Sequence, residues 1–162
     1  MKIKRSVLAV AIVAVVLTLG VASVANAADT GLPSVSGGVG FTNGDSKAFA
    51  LFGAKATGPA LPGEEHQPAR GSLLYADESG LLFTVSVQHI HAHSATEVHF
   101  GGTIVKASDP SLVGMFAHMV AIDGGKPGGK GDMFSIIWTA SDVHEHGTPQ
   151  PVKYGNLVVR AG

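Results

Sequence analysis

The sequence contains no cysteine, few charged residues and no long helical pattern after its N-terminus. Without cysteine the chain has no disulfide framework, so it must fold by burying apolar surface. Charged residues make up only 14% of the chain, and no cluster of lysine or arginine follows residue 5, which disfavours nucleic acid as a partner. After residue 27 no segment shows helical periodicity over ten or more residues, which excludes a helical domain.

The N-terminus has the pattern of an export signal. Basic residues within 2–5 precede an apolar stretch over 7–19, and the Ala-Asn-Ala at 25–27 offers small residues for cleavage. The apolar run is about 13 residues long, shorter than the roughly 20 that a membrane-spanning helix needs. We therefore predict a cleaved signal peptide over 1–27 and a secreted or periplasmic protein. No second run of spanning length follows, so no membrane span is expected in the mature chain.

Glycine and short apolar runs dominate the rest of the chain. After residue 27 there are 21 glycines, which fall singly or in small clusters between runs rich in valine, isoleucine and phenylalanine. Strands separated by tight turns have this arrangement. We predict a flexible leader over 28–37 and one all-β domain over 38–162, a single sandwich or barrel of about eight mostly antiparallel strands. The predicted strands are 38–42, 47–57, 70–76, 81–93, 97–106, 114–123, 132–140 and 151–160.

Alternating apolar residues support several of these strands. One stripe consists of Leu81, Phe83, Val85 and Val87, a second of Phe116, Val120 and Ile122, and a third of Phe134, Ile136 and Trp138. His118 belongs to the second stripe and is interpreted as a core or boundary residue. The first stripe occupies odd positions, whereas the apolar residues that follow it occupy even ones. This switch predicts a β-bulge near Gln88.

Four glycine-containing segments form motifs: RGSLLYAD at 70–77, TEVHFGGT at 96–103, DGGKPGGKGDMFSI at 123–136 and GNLVVR at 155–160. Together they resemble the post-COAP family of secreted bacterial domains, whose role is uncharacterised. The resemblance covers residues 41–160 and implies an all-β secreted domain, and it supplies no catalytic residue. The long loop at 57–69 and the histidines depart from the family pattern, so any special activity would be particular to this protein.

Histidine is abundant, with eight in the chain and half of them between residues 89 and 99. If Ser94-Ala95-Thr96 forms a three-residue turn, His91 opposes His99 and His93 opposes Glu97. His91, His93, Glu97 and His99 then share one face and form a candidate site for zinc or copper. A two-residue turn would scatter this set. The three-residue register is favoured because it gathers the apolar side chains on the other face: Ile90, Ala92, Val98 and Phe100.

Two other histidine-bearing segments offer weaker signals. His144-Glu145-His146 is a second H-x-H, but turn residues follow it at once, so it is interpreted as a hairpin tip that could add a ligand to a neighbouring site. His66 carries no signal of its own. It lies in the proline-rich loop over 57–69, which is interpreted as a solvated crossover, with a binding loop as the alternative.

Three interpretations of function remain open. The first is an exported, soluble, non-enzymatic binding or structural module for an unknown extracellular or envelope ligand, because no G-x-S-x-G elbow or other assembled catalytic motif is present. The histidines would then be a solvated face that needs no ligand. The second is a protein that binds divalent zinc or copper through the histidine-rich hairpin. The third is an enzyme resembling the Cu/Zn superoxide dismutases, although that family's disulfide and Gly-Asp-Leu-Gly-Asn segment are absent.

Overall fold

A computed structural model describes residues 31–126, 128–141 and 145–162, which form one curled antiparallel sheet, a half-barrel. Its strands are β1 (Ser34–Asn43), β2 (Ser46–Ala56), β3 (Gln67–Asp77), β4 (Leu82–Ala92), β5 (Glu97–Ala107), β6 (Phe116–Ile122), β7 (Met133–Thr139), β8 (Gln150–Pro151) and β9 (Tyr154–Arg160). The spatial order is β8-β7-β6-β5-β4-β3-β2-β1-β9, so each strand from β1 to β7 pairs with the next along the chain and β9 returns to pair with β1. The predicted all-β class is confirmed. The predicted signal peptide over 1–27 lies outside the described residues.

The first strand begins earlier than predicted. β1 begins at Ser34, so the predicted boundary between leader and domain, at residue 38, falls inside this strand. The early start is stabilised on both sides, because Val35 pairs with Ala54 of β2 and with Val159 of β9. The side chain of Val35 is buried, which anchors the beginning of the chain's first strand in the core.

The predicted strand over 151–160 is divided into β8 and β9. The division occurs where the chain crosses from one edge of the sheet to the other. There the amide of Val152 donates to the carbonyl of Asp132, which precedes β7, and the amide of Lys153 donates to Gly40 in β1. The crossover brings the two edges of the sheet together at this corner of the half-barrel.

The core fills the inside of the curl, where aromatic rings from distant strands meet. Phe134 on β7 stacks on Phe52 of β2 with a centroid distance of 5.0 Å, and contacts Phe41 of β1 edge-on at 5.0 Å. Trp138 on β7 contacts Phe83 of β4 at 5.2 Å. Such ring pairs contribute about 0.5–1.5 kcal/mol each beyond the area they bury. They hold β7 against the strands that face it across the curl.

The β4–β5 hairpin has the register that the sequence predicts. His91 pairs with His99, and the amide of His93 donates to the carbonyl of Glu97 at 2.9 Å. The register shifts beside Gln88, so the predicted bulge is present. Inward side chains are therefore odd-numbered before the bulge and even-numbered after it. This change of face places every histidine of the hairpin on the outside of the sheet.

The apolar stripe of β6 faces outward rather than into the core. The inward side chains of this strand are Ala117, Met119 and Ala121. Val120 lies on the outer face and is nevertheless buried, because the segment that leads into β8 crosses that face. The crossing is fixed by a hydrogen bond of 2.9 Å from the hydroxyl of Ser135 to the carbonyl of Gly147.

Helical structure is confined to a single 3₁₀ turn over Pro110–Leu112 in the part of the chain that the structure describes. No helix in that part has the length and apolar character needed to cross a bilayer.

Candidate functional site

Seven histidines lie together on the outer face of the sheet around β4, β5 and β6. Each ring centroid lies within 6.4 Å of the centroid of another ring of the group, so the imidazoles form one continuous group. The eighth, His144, lies outside the described residues. This group is the histidine cluster: His66, His89, His91, His93, His99, His118 and His146.

A glycine in β5 makes room for part of the histidine cluster. Gly101 pairs with His89 on one side and with His118 on the other. A Cβ atom at Gly101 would lie 2.8 Å from Cε1 and Nε2 of His89, so the ring of His89 occupies the space above the glycine. There it lies 6.3 Å from the ring of His118, which is buried, and stacks on Phe116 at 5.8 Å.

The loop over 57–66 adds one histidine from above the sheet. Its end is fastened by a hydrogen bond of 2.8 Å between Nδ1 of His91 and the carbonyl of Glu65. The next residue, His66, then places its ring 5.0 Å from that of His89 and 5.5 Å from that of His91. The loop that the sequence suggested to be a solvated crossover thus ends against the cluster.

The segment before β8 adds a second histidine from the other side. The hydrogen bond between Ser135 and Gly147 fastens this segment to β7. His146 lies 4.3 Å from the ring of His99 and 6.4 Å from that of His118. The hairpin tip predicted at 144–146 therefore reaches the neighbouring histidines through His146.

Two histidines of the cluster have one ring nitrogen fixed on an oxygen acceptor. A carbonyl oxygen can only accept, so Nδ1 of His91 carries the proton in its bond to Glu65, and the lone pair of the neutral ring is on Nε2. The carboxylate of Glu97 accepts from Nε2 of His99 at 2.8 Å, which leaves the lone pair of that ring on Nδ1. Histidines that bind metal ions have this arrangement, with one nitrogen on an acceptor and the other on the metal.

The structure brings the three histidines of the predicted set together, whereas Glu97 is hydrogen-bonded to one of them, His99. His91, His93 and His99 are neighbours, with ring separations of 5.1–6.4 Å. Glu97 is bound to His99, so it orients that ring. Within the described ranges no group of three or more histidine, aspartate or glutamate side chains is arranged so that it could hold a metal ion as it stands. A shared ion would require the imidazoles to turn about their side-chain torsions.

Sequence reasoning did not place three members of the cluster in a metal site: His66, His89 and His118, the last of which was interpreted as a core or boundary residue. His89 has the same parity as His91 and His93, so the H-x-H-x-H pattern beyond the bulge was a usable signal for it. His66 has no such local signal, and the H-x-H at 144–146 indicated only that it could add a ligand. Both His66 and His146 reach the cluster through loops whose path depends on tertiary contacts.

A second feature of the outer face is a depression of about 740 Å³ over β9, β1, β2, β3 and β4. Its lining consists of glycine, serine and threonine with leucine, valine, phenylalanine and one asparagine, and includes no charged or histidine side chain. The histidine cluster is therefore the part of the outer face that concentrates metal-binding and proton-transfer groups.

No protein-family model, no curated protein and no solved structure matches this chain. The resemblance to the post-COAP family therefore stays a prediction, and the functional conclusion depends on the fold and on the histidine cluster.

Proposed function

We propose that this chain is an exported, non-enzymatic module that binds divalent transition-metal ions, zinc or copper, on its histidine cluster. The proposal rests on His91 and His99, which oppose each other across the β4–β5 hairpin. Each has one nitrogen fixed on an oxygen acceptor and its lone pair on the other. Neutral imidazole is a good ligand for both metals.

The spacing of the rings suits a shared ion. With Zn–N bonds of about 2.0–2.1 Å, two imidazoles on one tetrahedral zinc ion have ring centroids about 5 Å apart. Separations within the cluster range from 4.3 to 6.4 Å, on both sides of that value. His93 is exposed and can turn without displacing packed neighbours. Binding therefore requires rotation of side chains rather than movement of the sheet.

The predicted export signal and the surroundings of the cluster support a binding role outside the cytoplasm. The hydroxyl of Ser135, next to the segment that contains His146, donates to the carbonyl of Gly147 rather than to an imidazole, so it is not paired with a base as a nucleophile would be. Nothing in the comparison with solved structures favours the alternative of an enzyme resembling the Cu/Zn superoxide dismutases.

Thermal unfolding with and without Zn²⁺ tests the proposal. A ligand that binds only the folded protein raises the free energy of unfolding by about 2.7 kcal/mol at a hundredfold excess over Kd. We expect zinc to raise the Tm of the wild type and to leave that of His91→Ala/His99→Ala nearly unchanged. The matched control is Ser86→Ala/Thr103→Ala, an opposed pair on the same two strands and the same outer face. It should respond to zinc as the wild type does.

Two results would contradict the proposal. Equal shifts in the wild type and in His91→Ala/His99→Ala would place zinc elsewhere. The absence of a shift with both Zn²⁺ and Cu²⁺ in the wild type would return the cluster to a solvated polar face.

A further inference from the structure

The ring separations divide the histidine cluster into two groups of three. His66 lies 5.0 Å from His89 and 5.5 Å from His91, and these form the first triplet. His99 lies 4.3 Å from His146 and 5.1 Å from His93, and these form the second triplet. The separations that join the two triplets are longer, at 6.2 and 6.4 Å.

The two triplets are built in the same way. Each combines two histidines of the β4–β5 hairpin with one histidine from a loop that lies over the sheet. In each, a hydrogen bond to the sheet fastens the loop beside its histidine, from His91 to Glu65 in one and from Ser135 to Gly147 in the other. Each triplet also contains one histidine whose second nitrogen is held by an oxygen acceptor, His91 or His99.

The remaining member, His118, lies between the triplets. Its ring is 6.3 Å from that of His89 and 6.4 Å from that of His146, and its side chain is buried. Burial restricts its rotation, whereas His93 and His146 are exposed. The shortest ring separations therefore fall at two places on the face, with His118 between them.

We propose that the histidine cluster binds two divalent transition-metal ions, one at each triplet, and that the loop residues His66 and His146 are ligands. This inference rests on the proposed function and divides the predicted hairpin set between two ions, with His91 in one and His93 and His99 in the other. Three imidazoles with one further position for water is a common ligand set for zinc. Each ion fastens its loop to the sheet.

Counting the ions tests the inference. Zn²⁺ is added to the purified protein, and the bound ions are counted by native mass spectrometry while their affinities are measured by calorimetry. We expect two ions in the wild type, one in His66→Ala/His89→Ala and one in His93→Ala/His146→Ala. Circular dichroism verifies that each variant is folded.

Substitution of His89 removes a ring that packs above Gly101, so it changes the packing of the sheet as well as a ligand. Single variants of the loop histidines avoid this change and provide a second measurement. His66→Ala and His146→Ala each change one residue outside the strands. Each should weaken the binding of one of the two ions by about tenfold or more and leave the affinity for the other ion unchanged. Limited proteolysis should show that zinc protects the loop over 57–66 in the wild type but not in His66→Ala.

The outcomes separate this inference from the proposed function. If the wild type binds a single ion and both double variants lose it, the two-ion inference is overturned and the proposed function stands. Two ions that persist in both double variants would overturn the two-ion inference, because they would not depend on the triplets. The proposed function would then be decided by His91→Ala/His99→Ala, since neither double variant changes that pair of histidines. A wild type that binds no Zn²⁺ would overturn both the inference and the proposed function.

Discussion

Asp132, immediately before β7, accepts a hydrogen bond of 3.0 Å on Oδ2 from the amide of Leu157 in β9, at the opposite edge of the sheet. Its Oδ1 accepts from the amide of Gly124 at 2.9 Å. The amide of Val159 is bonded in the same way to the carboxylate of Asp123 at 3.2 Å. Two aspartates in the turn between β6 and β7 thus join the edges of the half-barrel. This is the structural role of the glycine-rich motif over 123–136.

Replacing Asp132 should destabilise the fold. The side chain is only 1% exposed, and its loss leaves two backbone amides without their acceptor. Hydrogen bonds to charged groups contribute about 1.5–3 kcal/mol, so Asp132→Ala should lower the free energy of unfolding by about 2–4 kcal/mol in urea denaturation. Asp132→Asn retains one acceptor and should lose less. The control, Asp45→Ala at an exposed turn, should change stability by about 0.5 kcal/mol or less.

Tyr75 should make the protein sensitive to alkali. Burial raises the pKa of Tyr75 from 10.0 to about 12, against the effect of the hydrogen bond from Asn43 and with a further contribution from Asp77. In the unfolded chain the phenol ionises near its ordinary value, so the unfolded state releases its proton first. The stabilisation is therefore complete below pH 10 and is lost as the pH rises to about 12.

Urea unfolding at pH 9 and at successive values up to about pH 12 measures this effect. The wild type should lose about 2–3 kcal/mol over that range in excess of Tyr75→Phe, which has no phenol at this position. Tyr154→Phe is the matched control, because Tyr154 is 61% exposed. It should follow the wild type. Identical pH profiles for the wild type and Tyr75→Phe would contradict the assignment.

Gly101→Ala should affect both stability and metal binding. The added Cβ would lie 2.8 Å from the ring of His89 and 2.9 Å from the carbonyl oxygen of Ala117, which is backbone and cannot easily move. Overpacking of this kind costs about 1–3 kcal/mol, measured by thermal or urea unfolding. It also displaces the ring of His89, so zinc affinity should fall. Gly58→Ala, where no atom lies within 4 Å of the added Cβ, should be neutral or slightly stabilising.

Substitutions of Glu97 distinguish an orienting role from a ligand role. If the carboxylate orients His99 through the 2.8 Å bond to Nε2, Glu97→Ala should weaken zinc binding by about 10- to 100-fold. Glu97→Gln should weaken it less, because the amide oxygen still accepts from Nε2. Calorimetric titration gives both values. Equal losses in the two variants would instead indicate a carboxylate bound directly to the metal. Glu64→Ala, an exposed acidic residue near His66, controls for the lost charge.

Local sequence pattern was sufficient to predict the register of the β4–β5 hairpin at the centre of the site. The change of parity at Gln88 and the apolar residues around His91 and His99 determine one register, because a slip by one residue would turn Ile90 and Val98 out of the core. The structure has that register. The type of fold followed from the same signals, repeated along the chain.

The features that local sequence pattern did not predict depend on contacts between distant segments. His66 and His146 join the cluster only because two loops fold back over the outer face. The apolar side chain of Val120 suggests an inward direction, yet it faces outward beneath the segment that contains Gly147. The division between β8 and β9 likewise depends on where the edges of the sheet meet, and a single strand pattern over 151–160 contains no sign of it.

The aspartates that join the sheet also govern how molecules of this protein meet one another. An edge strand normally offers unpaired amides on which a second chain can add a strand, the first step in aggregation. In β9 the amides of Leu157 and Val159 are already bound to carboxylates of the same chain. A second molecule that tried to extend the sheet from this edge would have to displace two charged acceptors. This edge is thereby protected from pairing with a second chain, without a bulge or a proline in β9.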